Sequence, residues 1–94
     1  MENKITASTV VMRAAGLVAT DLEGEKVMLD IEKGLYYGLD SIGSRIWDLM
    51  EQPQPMTSIV SVLMDEYEVA QQQCEADVLV LLNQMYAAGL LNIA

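Results

Sequence analysis

The sequence predicts an α+β fold in which a small antiparallel sheet comes first and three helices follow. Three observations carry this. Residues 25–32 alternate, with Val27, Leu29 and Ile31 on one face and Met28, Asp30 and Glu32 on the other, the period of a half-buried strand. Lys33-Gly34 reads as a tight turn into the β-prone Leu35-Tyr36-Tyr37, so the chain returns antiparallel, with Gly34 accepting positive φ at no steric cost. At Asp40 the period changes, and Ile42, Ile46, Leu49 and Met50 fall at helical spacing.

In chain order, residues 1–7 carry no pattern and are expected to be mobile. Residues 8–12 are β-prone, and residues 17–21 form another short extended run after Ala15-Gly16. Leu22-Glu23-Gly24 then reads as a turn into a strand over 26–31. The expected sheet is a three-stranded meander of 17–21, 26–31 and 35–39, with 9–12 as a candidate fourth short strand. Such a sheet is not stable alone and needs helices against one face.

The first helix is predicted over 41–50, capped by Asp40 or Ser41, with Trp47 beside Ile46 widening its apolar stripe. Pro53 and Pro55 end it, since each removes a backbone donor and biases the residue before it away from helix. Thr57 is the expected cap of a second helix whose inner face is Ile59, Val60, Leu63, Met64 and Tyr67, with Met56 closing against it. Asp65, Glu66 and Glu68 oppose the dipole at its end, so it should fray by Glu68. The third helix, 70–88, is the longest: Cys74, Val78, Leu81, Leu82 and Met85 make one face, and Leu79, Tyr86 and Val80 widen the arc beyond a single contact. That surplus serves either the core or an outer groove. Gly89 fits a left-handed C-terminal cap with Leu90 folded back, leaving Leu91-Asn92-Ile93 to pair with the sheet or lie against it. No repeat or second domain is visible, and residues 1–94 read as one domain.

The run E-x-V-x-L-D-x-x-x-G-x-Y-Y-x-L-D-x-x-G-x-x-I-W-x-L, which starts at Glu25, resembles the PqqD family, small modules that hold the leader segment of a ribosomally made precursor peptide while partner enzymes modify or cleave it. The resemblance covers roughly residues 21–91, and its most specific part is 29–47. Standalone members of about this size occur in lasso-peptide biosynthesis, and this chain is most similar to those. The resemblance implies a partner leader peptide and a separate leader peptidase, or else a radical or other tailoring enzyme. Gly34, Gly43, Ile46, Trp47 and Gly89 are read as structural, Gly43 permitting close helix-to-sheet approach and Trp47 anchoring the core.

Composition bounds the other functions. Histidine is absent, which removes the commonest general base and metal ligand near neutral pH. Cys74 is the single cysteine, so it has neither a catalytic histidine nor a redox partner, and an intramolecular disulfide is impossible. The glycines nowhere space as a phosphate-binding loop. No catalytic residue, cofactor or metal is therefore expected. Strands followed by three helices also describe a winged helix-turn-helix, but the third helix carries no lysine or arginine and the formal charge is -9, so no nucleic-acid partner is expected. Neither a basic, apolar N-terminal signal nor a membrane-length apolar run is present, and the expectation is a cytoplasmic protein with no membrane partner. A basic peptide would be attracted.

What remains is the strand Leu35–Leu39, the last of the meander, whose unpaired edge can accept a guest strand. The resemblance points to the same place: in the family the leader adds antiparallel to this strand and drops apolar anchors into the cleft between it and the third helix. Carried onto this chain, the strand half is Leu35, Tyr36, Tyr37, Gly38 and Leu39, and the helix half is Cys74, Asp77, Val78, Leu81, Leu82 and Met85. Which of these face the groove is left open. Tyr36 and Tyr37 suit either ordinary strand packing or a wet binding edge. Gly38 weakens strand propensity while leaving room for a guest. A structural or regulatory interaction module without a peptide ligand is the alternative of a different class.

Overall fold

The computed structural model describes residues 5–94. The element order is β1 (Val10–Arg13), β2 (Leu17–Leu22), β3 (Glu25–Asp30), β4 (Leu35–Leu39), α1 (Ser41–Leu49), β5 (Gln54–Pro55), α2 (Met56–Glu66), α3 (Gln71–Ala87) and β6 (Leu91–Ile93). The architecture is α+β and winged helix-turn-helix-like, as the periodicity predicts. The strands form two antiparallel sheets, ordered β2-β3-β4 and β5-β1-β6.

The meander is built from two turns of different kinds. Between β2 and β3, Glu23 and Gly24 both take positive φ, 54° and 88°, and Leu22 stands opposite Glu25. That is a two-residue loop whose twist matches the flanking strands. Between β3 and β4 the expected two-residue turn is instead a four-residue loop, 31–34, closing from Asp30 opposite Leu35. The Asp30 carboxylate accepts the Lys33 N–H at 3.1 Å, the Asp30 carbonyl accepts the Gly34 N–H at 2.7 Å, and Gly34 sits at φ 69°. Ile31 therefore leaves the strand and is exposed.

The core face of β3 is not its apolar-rich face. Met28 is fully buried, while Val27 and Leu29 are only half-buried and belong to the opposite face of the sheet, with Val18 and Tyr36 across from Leu29. The sheet is docked by a polar contact as well as by hydrophobic pattern. At the end of the β3–β4 ladder, where Lys26 stands opposite Leu39, the buried hydroxyl of Ser44 accepts the Lys26 N–H at 2.8 Å and donates to the Leu39 carbonyl at 3.2 Å. One side chain of α1 thus ties both strands. Asp40 caps the same helix, its carboxylate accepting the Gly43 N–H at 2.8 Å. Gly43 lets the helix approach closely there, since an added Cβ would lie 3.3 Å from the Asp40 carboxylate and 3.4 Å from Leu39 Cβ, a tight fit that would make a neighbour shift.

The candidate fourth strand does not join the meander. After β1 the chain bends at Gly16, φ 83°, and β1 becomes the centre of the second sheet, with Val11 fully buried between Gln54 on one side and Ile93 on the other. The proline linker is thereby a strand, and Pro55 is tolerated because β5 is an edge. Leu91–Ile93 pairs with β1 rather than with the meander. Within the stretch 1–7, Ile5 is 1% exposed and donates its N–H to Asn83 on α3; residues 1–4 lie outside the described residues.

Among the helices, α1 matches its predicted range to within a residue. α2 starts one residue before the expected Thr57 cap: Pro55 occupies the cap position without a side-chain bond, and the Met56 N–H is taken by the Thr9 carbonyl at 2.9 Å. The long surplus face of α3 divides. Leu79 and Tyr86 pack against the core, Leu81 is half-buried, and Val80 is 57% exposed. Gly89, φ 81°, ends the helix in a Schellman motif, with its N–H on the Tyr86 carbonyl and that of Leu90 on the Met85 carbonyl. Trp47 is buried under Arg13, whose guanidinium lies 4.7 Å from the ring centroid and donates to the Trp47 carbonyl at 2.9 and 3.1 Å, satisfying an end of α1.

Two predictions follow from these ties. Ser44→Ala leaves two buried backbone groups unpaired and should cost about 1–3 kcal/mol in urea unfolding; a cost under about 0.3 kcal/mol would show that the clasp is dispensable. Arg45 grips Glu66 with contacts of 2.6–3.0 Å, tying α1 to α2, and these hydrogen bonds hold the Glu66 carboxyl below its ordinary pKa against the opposing push of burial. A depressed folded-state pKa stabilises above the unfolded value and is lost as pH falls through the folded one. Glu66→Gln should therefore melt below the parent at neutral pH, with the gap closing as pH drops beneath the ordinary carboxylate range; a gap independent of pH would contradict this.

Candidate functional site

The β2-β3-β4 sheet has two open edges, and what lies beside each differs. β2 is exposed along nearly its whole length. β4 runs directly into Asp40 and α1, and its far end opens onto a recess of about 330 Å³ lined by Asp40, Ile42, Leu63, Tyr67, Val69, Cys74, Asp77, Val78 and Leu81. The recess joins the start of α1, the end of α2 and one face of α3. Of the two edges, β4 is the one with a lined recess at its end.

Strand alternation sorts the residues of β4. Cross-strand pairing puts Leu35, Tyr37 and Leu39 on the face that carries buried Met28, and Tyr36 and Gly38 on the opposite face. Leu35 is 48% exposed, Tyr37 half-buried and Leu39 buried, so this inner row descends toward the helices. Tyr36, 73% exposed, stands on the outer face with Val18 and Leu29 opposite or one strand further. A side chain of an added strand would likewise alternate between the helix side and the outer apolar face.

Of the helix residues named from sequence, Cys74, Asp77, Val78 and Leu81 meet in the recess. Leu82 and Met85 do not line it; they are 0% and 2% exposed and lie in the core beneath. Gly34 and Gly89 hold positive-φ turns, while Gly43, Ile46 and Trp47 are buried where α1 packs. Sequence reasoning missed Asp40, Ile42, Leu63, Tyr67 and Val69 as lining. Asp40 is legible only as a cap, and Leu63 only as inner helix face. Tyr67, expected on the inner face of the second helix, instead caps α2 after Glu66 and is 41% exposed, because the helix ends a residue early; Val69 follows it, where no period identifies which way a side chain points. A second recess, about 300 Å³ between α2 and the start of α3, includes Thr57, Ser61 and Glu75; neither recess is lined by a β4 residue, and the first adjoins the strand through Asp40, the residue that follows it.

Burial above all, with Asp77 and Glu75 adding to it, pushes the Cys74 thiol above its ordinary pKa, so the nucleophilic thiolate is disfavoured at neutral pH. Among the described residues no three His, Cys, Asp or Glu side chains converge to hold a metal ion, and no helix is long and apolar enough to cross a membrane. Three of the described cations are drawn elsewhere: Arg13 to Trp47, Arg45 to Glu66, and Lys26 to Asp21 at 2.6 Å and Asp48 at 3.2 Å.

Comparison with known proteins agrees with this architecture. The fold is similar to that of TbiB1 in complex with the TbiA(beta) leader peptide, with 32% sequence identity, coverage of 86% of this chain and 94% of that one, and a TM-score of 0.80. It is also similar to lasso peptide synthetase B1 complexed with the leader peptide, at 20% identity, 87% and 96% coverage and a TM-score of 0.78, a likeness of fold. No curated protein sequence matches. Residues 25–91 match the family model described as coenzyme PQQ synthesis protein D, and the chain belongs to the PqqD family.

Proposed function

We propose that this protein is a non-catalytic recognition element that binds the leader segment of a ribosomally made precursor peptide as an added strand on β4, and presents it in trans to a separate leader peptidase of a lasso-peptide pathway. The observation that carries the reading is the open β4 edge ending at an apolar-floored recess. Backbone groups of the edge offer a guest strand its affinity, and the recess at the end of β4 offers a pocket for one of its alternate side chains. The likeness to TbiB1, bound to its leader at 32% identity, supports the same class of ligand here. On this reading Leu35, Tyr37 and Leu39 face the inward side chains of the guest, and Cys74, Asp77, Val78 and Leu81 receive them.

Presentation to a second protein has its own support. Val18, Leu22 and Tyr36, each at least half exposed, share the outer face of the sheet with Val27 and Leu29. Single exposed apolar side chains need no explanation, but a contiguous group suits a protein partner. A guest strand on β4 would extend that face, so that an enzyme docking there would meet protein and leader together. Tethering the precursor beside the peptidase raises its effective concentration without any chemistry by the carrier.

The test is a titration of the leader encoded beside this gene, fluorescently labelled, against the parent and the single variants Tyr36→Pro and Tyr37→Pro, with circular dichroism confirming the fold. Proline removes one N–H and clashes within a ladder, so the variant whose N–H points outward should lose leader binding at modest cost in stability. The other should also weaken the β3–β4 ladder. If both variants stay folded and bind as tightly as the parent, the peptide docks elsewhere.

A further inference from the structure

β2 is the edge of the meander opposite β4, and none of the usual devices protects it. Leu17–Leu22 contains no proline and no basic residue, it pairs with β3 without a bulge, and five of its six residues are exposed. The edges of the other sheet are blunted, since β5 holds Pro55 and β6 is three residues long. Ladder geometry fixes what β2 offers. The Ile31 N–H meets the Gly16 carbonyl at 3.4 Å, and the two-residue loop closes on Leu22 opposite Glu25, so the even-numbered residues of β2 direct their backbone groups to β3. Leu17, Ala19 and Asp21 therefore point theirs outward. Val18, Thr20 and Leu22 form one row of side chains on the outer face, with Val18 50% and Leu22 60% exposed.

We infer that β2 is a self-association edge, to which a second copy of this chain adds its own β2, antiparallel, about a two-fold axis through Thr20. The row of side chains is self-complementary about that axis. Val18 faces Leu22 of the second copy, Leu22 faces its Val18 and Thr20 faces its Thr20, all at non-hydrogen-bonded positions, where opposed side chains lie closest. Ala19 and Asp21 then exchange their outward backbone hydrogen bonds across the joint. Centring on Ala19 instead would put Asp21 opposite Leu17 and leave Leu22 facing Gly16, so apolar pairing selects the first register. The formal charge of -9 opposes association in general, but this edge is arranged against it: Asp21 falls opposite Ala19 and is held by its own Lys26 at 2.6 Å. The Glu23 carboxylates stand about 20 Å apart along the joined strands, roughly twice the Debye length in about 0.1 M salt. Joining the two meanders leaves a β4 edge open at each end, so the inference is independent of the leader reading and compatible with it. The outer face runs unbroken from Tyr36 through Leu29 and Val18 to Leu22 of the second copy.

The experiment is sedimentation equilibrium of the full chain, with no leader present, from about 10 µM to about 1 mM. One strand pair is small beside the roughly 1,200–2,000 Å² of stable interfaces, so the expected result is a reversible monomer–dimer equilibrium with Kd on the order of 100 µM, tightening in about 0.5 M salt as like charges are screened. Ala19→Pro deletes an outward N–H without touching the β2–β3 ladder, and should weaken association at least about tenfold with the circular dichroism unchanged. Register is read by cross-linking under mild oxidation. Thr20→Cys sets two thiols on residues whose Cα atoms lie about 4.5 Å apart, within disulfide reach, and should be trapped as a covalent dimer. Val18→Cys and Leu22→Cys should each stay uncross-linked alone and cross-link when mixed, while buried Cys74 leaves the parent uncross-linked. A chain that remains monomeric at about 1 mM in both salts overturns the inference, as does a dimer that Thr20→Cys fails to trap.

Discussion

The contact on which the rest of the structure depends is the Ser44 hydroxyl, set between the Lys26 N–H and the Leu39 carbonyl. It fixes the end of the β3–β4 hairpin against α1 from inside the protein, where an unpaired backbone group is costly. With β3 on one side and α1 at its end, β4 is anchored on one side while its other edge stays open. The cap at Asp40 follows from the same junction, because the chain leaves the sheet and enters the helix without a loop. The recess therefore begins where the strand ends, and its position relative to β4 is set by backbone geometry rather than by a flexible connection.

Much of this was legible in the sequence because each signal was local. The hairpin, the switch of period at Asp40, the buried Trp47 and the left-handed Gly89 each depend on a few adjacent residues. Long-range pairing was not legible. Residues 8–12 look β-prone whether they join the meander or form the centre of another sheet, and only the return of Gln54–Pro55 and Leu91–Ile93 on either side decides it. Proline read correctly as the end of α1 concealed the edge strand it then makes.

Which face of β3 turns inward is not readable from its period, for a related physical reason. Apolar count favours Val27, Leu29 and Ile31 as the inward row, yet Met28 is the buried residue and the apolar row looks outward. A one-residue choice of face is usually settled by hydrophobic burial, and here the Ser44 clasp and the Asp40 turn also fix it. In the recess, Cys74, Asp77, Val78 and Leu81 were accessible from helical spacing and family resemblance together, whereas Leu82, further round the helix, and Met85, in the middle of the same stripe but nearer its C-terminal end, lie inside the core. Helical period assigns a stripe; it does not say where the stripe passes from groove to core.

The two open edges of one sheet make the central claim directly measurable. β2 and β4 are both available to a guest, and only β4 adjoins the recess. Amide hydrogen exchange, followed residue by residue by NMR with and without the leader, distinguishes them without altering the protein. The account predicts that leader binding slows exchange in alternate amides of Leu35–Leu39 and leaves Leu17–Leu22 unchanged. New protection along β2, with β4 exchanging as in the free protein, would contradict it.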